Sequence, residues 1–292
     1  MAWTTSDRAM TLRERSHAFD LFAETMDGWR LHLAGRNASV LAFFSFLSIF
    51  PLMLAAVTIL GFVLEGNEDL QRRIVDSAAS EIPVLGDSLA QDPDAISGSW
   101  LALVIGLGGA LWSSTKAFVG LQSALDDSWD VPVDDRDGLP VQRGKALLGL
   151  AIIATSLIGS LVIAGIVNAS GFPVISNVAL VGATVAINVV VIAAMYRLLT
   201  SHSATLSDVW PGALIAGVVF TALQHFGTAI VKNLAGNADA TQGTINSILA
   251  LLTWLSLIGI TVIMCAEFNA ARARLRRGPH LSGDHLDIAI RT

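Results

Sequence analysis

The sequence predicts an all-α membrane protein with six transmembrane helices, and three observations support this. Hydrophobic residues make up 53% of the 292 residues, charged residues make up 14%, and the mean hydropathy is +0.62. Past residue 40 the chain is mostly apolar stretches, each close to the roughly 20 residues that a helix needs to cross a bilayer. These stretches do not alternate with a period of two, which favours helices over barrel strands. The predicted spans are Val40–Leu64, Gly98–Gly120, Lys145–Asn168, Val174–Leu199, Val209–Val231 and Ile245–Phe268.

The chain is predicted to form one membrane domain with modest flanking segments. Residues 1–39 are a cytoplasmic N-terminal segment, residues 40–268 the transmembrane domain with an outer loop at 65–97, and residues 269–292 a basic cytoplasmic tail. The loops after residue 120 are too short to form a separate soluble core. The first apolar run starts too far along the chain for a cleavable signal peptide and is long enough to span.

The N-terminal segment carries a helical pattern of apolar residues. They recur at spacings of three, four and seven, which predicts an amphipathic helix over residues 11–37. Such a helix could lie against the cytoplasmic leaflet or pack beneath the bundle, and the pattern fits both arrangements. The residues concerned are Leu12, Phe19, Phe22, Met26, Trp29 and Leu33.

The distribution of Lys and Arg predicts the orientation. Positive charges concentrate in the N-terminal segment, the loop between the second and third spans, and the tail, with only Arg72, Arg73 and Lys232 on the opposite side. Cytoplasmic segments carry such an excess, so both termini are predicted to be cytoplasmic, as an even number of spans requires. The basic tail is suited to anionic lipids and is not taken to bind nucleic acid.

The outer loop, residues 65–97, contains eight acidic residues and two arginines. Apolar positions on both sides of Pro83 predict two short amphipathic helices broken at that proline. The loop is either a solvated cap over the helix ends, or a lid or a surface that binds a partner such as an envelope protein.

A second acidic run, Asp126 to Asp137, lies in the predicted cytoplasmic connection. A calcium loop needs ligands at alternating positions and a final Glu, whereas Trp129, Val131 and Pro132 interrupt this run. Solvated charge is therefore the prediction. The sequence also lacks a phosphate-binding loop, zinc spacing and a nucleophile elbow, so we expect no metal, no cofactor and no enzymatic activity.

Pro51 lies in the middle of the first predicted span, where its missing N–H frees a carbonyl and predicts a kink. The kink is expected to open a crevice lined by Ser45 and Ser48. Asn188 and His225 lie within later spans, where polar side chains hydrogen-bond across helices. A proton relay at His225 would need several titratable groups in succession along a path through the membrane.

Three ionisable residues lie near the cytoplasmic ends of spans. An ionisable group in hydrocarbon costs on the order of 3 kcal/mol, so such groups should face protein or water. Glu267 is predicted to pair with either Lys116 or Arg197, which lie at similar depth. The group is either a structural ion pair or a charge cluster that contacts a substrate.

Three stretches together resemble the YihY/BrkB family of bacterial inner-membrane proteins: Ala42–Leu52, Leu111–Trp129 and Leu252–Ala270. They include a Ser-x-Phe-Pro and an Ala-Glu-x-Asn signature. The resemblance implies a six-helix inner-membrane protein concerned with envelope integrity, and lipid or amphiphile transport is proposed for some members. An older ribonuclease BN label is regarded as mistaken, and this sequence offers no catalytic constellation for RNA cleavage. The matching positions are Ser45, Ser48, Pro51, Trp112, Gln122, Trp129, Glu267 and Asn269.

Two functions follow as hypotheses. The first is a transporter or flippase of an amphipathic envelope lipid or related solute, and the second is a non-transporting scaffold that organises envelope machinery. A cavity with polar residues at mid-membrane would favour transport, whereas a tightly packed, dry bundle would favour the scaffold.

Overall fold

The computed structural model describes residues 4, 6–63, 100–169, 173–235 and 240–277. Within these ranges the chain forms helices joined by short connections and no strand. The predicted helices of the outer loop and most of the basic tail lie outside the described residues. The helices are α1 (Asp7–Arg15), α2 (His17–Leu31), α3 (Ala34–Val63), α4 (Trp100–Ser128), α5 (Leu139–Ala169), α6 (Pro173–Leu199), α7 (Leu206–Ala235) and α8 (Ala240–Arg277), with a 3₁₀ turn at Val133–Asp135.

Each predicted span falls almost entirely inside one of the long helices α3 to α8. Within the described residues, four helices contain segments long and apolar enough to cross a membrane. The part of α3 whose side chains the structure describes includes a shorter apolar segment, Ala34–Ile49. The four segments are Val104–Ser128, Val178–Leu199, Leu206–Gln224 and Ile248–Arg276.

The long helices pack where small residues let their backbones approach. The most extensive contact joins α3 to α4, and α8 packs against both α3 and α7. A Cβ added to Gly217 of α7 would lie 2.9 Å from the backbone nitrogen of Val189, and one added to Gly259 of α8 would lie 2.9 Å from the carbonyl oxygen of Ala38. Glycine at these two positions therefore allows the close approach of the helix backbones.

The main apolar core joins α4, α6, α7 and α8 near one end of the bundle. Leu125, Tyr196, Leu199 and Val209 are at most 1% exposed there. Other long apolar side chains face outward, among them Leu101 of α4 and Val190 of α6. This arrangement is typical of helices whose outer surface meets lipid, since lipid is as apolar as a protein core.

The N-terminal pattern predicts a single helix, but the structure has two. Ser16 is extended, and its hydroxyl accepts a hydrogen bond from the Phe19 N–H at 3.4 Å, so a serine that ends α1 also caps α2. A turn with Leu33 at φ 51° then leads into α3. The face of α2 that packs on α8 is polar or small, with Glu24, Thr25 and Gly28 buried.

Candidate functional site

All six long helices surround a polar cavity of about 440 Å³. Its walls are mostly apolar, and its polar lining consists of hydroxyl and carboxamide side chains. The volume lies within the roughly 300–1,000 Å³ typical of small-molecule sites. The polar lining residues are Ser45, Ser156, Ser160, Thr184, Asn188 and Gln224. Among the apolar lining residues are Leu41, Phe118, Ile192, Met195, Phe220 and Leu255.

Asn188 is the central polar residue of the cavity, at the middle of the apolar segment of α6. Its amide nitrogen donates to Thr221 Oγ1 at 2.9 Å and to Gln224 Oε1 at 3.1 Å, which are the cross-helix bonds expected of it. Both donors of that nitrogen are thereby used. Asn188 Oδ1, Gln224 Nε2 and Ser45 Oγ have no hydrogen bond to any other described residue. They can serve a bound molecule without breaking a protein hydrogen bond.

None of the described residues that line the cavity is ionisable. A small ion in such a site would lose hydration without gaining an opposite charge, which is unfavourable. Apolar walls with a few neutral hydrogen-bonding groups suit a ligand that is itself mostly apolar with an uncharged polar part.

The structure places the two serines of the crevice predicted at Pro51 differently. Ser45 lines the polar cavity, whereas Ser48 is not among its lining residues, and the Ser48 hydroxyl donates to the Phe44 carbonyl of its own helix at 2.8 Å. The helix α3 continues through Pro51. The Pro51 ring lies against α4, where a Cβ added to Gly109 would be 3.0 Å from the proline Cβ.

The predicted pairing of Glu267 with Lys116 or Arg197 is wrong. Lys116 and Arg197 are both exposed, whereas Glu267 is fully buried. Glu267 Oε1 lies 2.8 Å from His32 Nδ1 and accepts from Ser128 Oγ at 3.0 Å. Depth in the membrane, which is all that the sequence gives, does not fix the direction in which a helix turns its side chains.

Glu267 belongs to a charge cluster that we define as Glu24, His32, Asp130, Glu267 and Arg274. His32 Nε2 lies 3.2 Å from Asp130 Oδ1, and Arg274 bridges Asp130 Oδ2 at 2.9 Å and Glu24 Oε1 at 3.1 Å. The cluster therefore ties α2 and the connection after α4 to the end of α8.

The charge cluster continues into α1 through one arginine. Arg13 contacts Asp20 at 2.8 Å and both Glu24 and Asp27 at 3.0 Å. Four charged residues of α1 and α2 thus form one set of ion pairs, which holds the two short helices together.

Two details show how tightly the charge cluster is built. Glu267 Oε2 is buried without a hydrogen-bond partner among the described residues, and a Cβ added to Gly28 would lie 2.5 Å from it. Gly28 therefore provides the space for the carboxylate. Burial opposes protonation of His32, but its hydrogen bonds to Asp130 and Glu267 and their charges outweigh burial and raise the pKa of His32 to about 9. His32 is therefore cationic at neutral pH and compensates the buried carboxylate.

Asn269 and Gln122 also have architectural contacts. Asn269 Oδ1 accepts from the Gly212 N–H at 2.8 Å, and its Nδ2 donates to the Val209 carbonyl at 3.0 Å. These bonds fasten α8 to the first turns of α7. Gln122 is buried and donates to the Gln142 carbonyl at 2.9 Å.

The sequence predicts that the acidic run is solvated, but the structure buries part of it. Asp126 is 2% exposed and accepts hydrogen bonds from Thr200 Oγ1 and from both the N–H and hydroxyl of Ser201. Asp130 belongs to the charge cluster, whereas Asp134 is exposed. Asp126 lies one turn after Gln122 and beside Leu125 on a buried face, a spacing that could have identified it. Among the described residues no group of three or more His, Cys, Asp or Glu could hold a metal ion.

The side chain of His225, a residue predicted to hydrogen-bond across helices, is not among those that the structure describes. Sequence reasoning missed His32 and Ser128 as partners of Glu267, and no local pattern marks them because they lie 235 and 139 residues away in the chain.

A family profile described as "Virulence factor BrkB" matches residues 28–287, which is most of the chain and includes all helices that line the cavity and every residue of the charge cluster except Glu24. The chain belongs to the BrkB family. This confirms the resemblance found in the sequence. BrkB membership and the apolar helices together place the protein in a membrane.

One curated relative of this BrkB-family chain is the "Putative ribonuclease-like protein YfkH" of Bacillus subtilis (strain 168). It is 25% identical over 268 residues, which cover 88% of this chain and 96% of the relative. No solved structure matches the chain.

Proposed function

We propose that this BrkB-family protein is a transporter or flippase that moves an amphipathic lipid or related envelope solute across the bacterial inner membrane. The polar cavity carries the proposal. It lies where all six long helices meet, and it combines apolar walls with hydroxyl and carboxamide groups. A scaffold needs no such cavity, since a tightly packed bundle without a cavity would be more stable.

The proposal includes six membrane spans, α3 to α8, with both termini in the cytoplasm. The charge cluster then lies at the cytoplasmic ends of the spans. In this arrangement α1 and α2 lie at the membrane surface, which accounts for their exposed apolar residues, including Leu12, Phe22 and Leu31.

Cysteine labelling tests the orientation. In a variant without Cys265, Ser88→Cys should react with an impermeant maleimide in intact cells, and Ser282→Cys only after lysis. The opposite pattern would overturn the orientation.

Reconstitution tests the activity. Purified protein in liposomes should accelerate movement of a fluorescent monoacylglycerol between leaflets, measured by its accessibility to an impermeant quencher. Asn188→Leu should abolish most of that acceleration, whereas Lys116→Gln, on an exposed side chain outside the cavity, should retain it. No acceleration above protein-free liposomes would favour the scaffold.

A further inference from the structure

An apolar groove on the outer surface of the bundle adjoins the polar cavity. The groove has a volume of about 570 Å³ and lies between α5 and α6. Its lining includes Leu148, Ala151, Thr155, Ile187 and Val190. One face of each helix lines the groove, and the neighbouring face lines the cavity.

Two residues line both the groove and the cavity. One comes from each helix, Ser156 from α5 and Val191 from α6. Two polar residues of the cavity lie about one helical turn from them along the chain, Asn188 before Val191 and Ser160 after Ser156. The groove and the cavity therefore share a boundary, with an apolar compartment on the outer side and a compartment with polar groups on the inner side.

Hydrocarbon chains of the bilayer can fill the groove. Val190, which lines the groove, is 67% exposed and belongs to an apolar segment long enough to span. At that depth hydrocarbon chains are the surrounding medium, and a chain in the groove is chemically matched to its walls.

We propose that the groove and cavity together form the binding site of a chain-bearing amphiphile with an uncharged, hydroxyl- or amide-containing head. The hydrocarbon chain lies in the groove between α5 and α6, and the head hydrogen-bonds to Asn188 Oδ1, Gln224 Nε2 and Ser45 Oγ. The molecule enters sideways from the bilayer between Ser156 and Val191. This inference rests on the proposed function and deepens it, since it names the substrate class and the entry route.

The test uses a monoacylglycerol with a photoactivatable diazirine in its chain, and the full-length protein in lipid nanodiscs. Crosslinks should map to α5 and α6 residues of the groove. Unlabelled monoacylglycerol should compete at least about tenfold better than the fatty acid of the same chain length, whose head is charged at neutral pH. Equal competition by the fatty acid would overturn the assignment of an uncharged head.

A reversible block separates the groove from folding. In the background without Cys265, Thr155→Cys places a thiol in the groove, and Ala154→Cys places one on the neighbouring exposed position outside both compartments. A bulky uncharged methanethiosulfonate, added after purification, should reduce photolabelling of Thr155→Cys by about tenfold or more and leave Ala154→Cys unchanged. Reduction of the mixed disulfide should restore labelling, which a folding defect would not allow.

The remaining outcomes distinguish failure of the binding site and its lateral route from failure of the proposed transport function. Labelling that survives the groove block but is lost in Asn188→Leu would overturn the lateral route and retain a transported amphiphile. Disulfide-linked Thr155→Cys dimers without groove crosslinks would assign this face to a second copy of the chain. Leaflet movement of the probe without any specific crosslink would overturn the binding site, whereas the absence of both would overturn the proposed function.

Discussion

The charge cluster and the polar cavity use polar residues in opposite ways. In the charge cluster nearly every polar atom has a partner, and the fully buried Glu267 is compensated by His32 and Ser128. In the cavity the groups are neutral, and Asn188 Oδ1 and Gln224 Nε2 have no partner among the described residues. Satisfied charges fix an architecture, whereas unsatisfied neutral groups facing a cavity are available to a ligand.

The largest effect is expected for Glu267→Gln. The substitution leaves His32 as a buried cation beside an amide, at a cost of about 3 kcal/mol or more. Folded yield in detergent, measured by size-exclusion chromatography, should fall severely. Asp134→Asn, the same change at an exposed carboxylate, should leave the yield unchanged. Equal yields for both variants would show that the charge cluster is not architectural.

The second prediction concerns pH. Because the pKa of His32 is raised from 6.5 to about 9 in the folded protein, its stabilisation is complete below pH 6.5 and is lost as pH rises through 9. The free energy of unfolding should fall by about 3 kcal/mol as His32 loses its proton. The neighbouring charges of Glu24, Asp130 and Arg274 reduce this loss. The thermal midpoint in detergent should fall between pH 7 and 10, and His32→Gln should flatten this dependence. An unchanged slope in His32→Gln would remove His32 as the titrating group.

Packing should differ between the two ends of the bundle. A Cβ at Gly212 would overlap the Cys265 carbonyl oxygen, while nothing lies within 4 Å of a Cβ at Gly182. Gly212→Ala should therefore destabilise the protein by about 1–3 kcal/mol. Gly182→Ala should be neutral or stabilise by up to about 1 kcal/mol, because alanine favours the helix. Thermal unfolding of both variants measures this, and a similar loss in each would contradict the packing described.

Much of the fold could be predicted from the sequence, because apolar length alone identifies membrane helices. The ends of the helices could not, since α4 continues past Gly120 into a polar stretch that is buried by tertiary contacts. The position of Glu267 was informative, but its partner was not predictable, because His32 lies in a segment that looks soluble. The sequence predicts solvated charge at the buried Asp126, because composition does not show which residue of an acidic run faces inward.

The smallest effect on stability is expected for Asn188→Leu. Its two cross-helix hydrogen bonds contribute under about 1 kcal/mol, because such bonds in membranes are weak and leucine suits an apolar wall. Folded yield and the thermal midpoint should remain near those of the unsubstituted protein. A loss as large as that of Glu267→Gln would mean that the cavity residues are architectural too.

The most direct test of this contrast is photolabelling by the diazirine monoacylglycerol, expressed per folded molecule, for Asn188→Leu and Glu267→Gln. Asn188→Leu should fold normally and lose labelling by about tenfold or more. Glu267→Gln should yield little folded protein, but the molecules that fold should label within about twofold of the unsubstituted protein. Normal labelling of Asn188→Leu, together with loss of labelling in folded Glu267→Gln, would reverse the two roles and contradict the account.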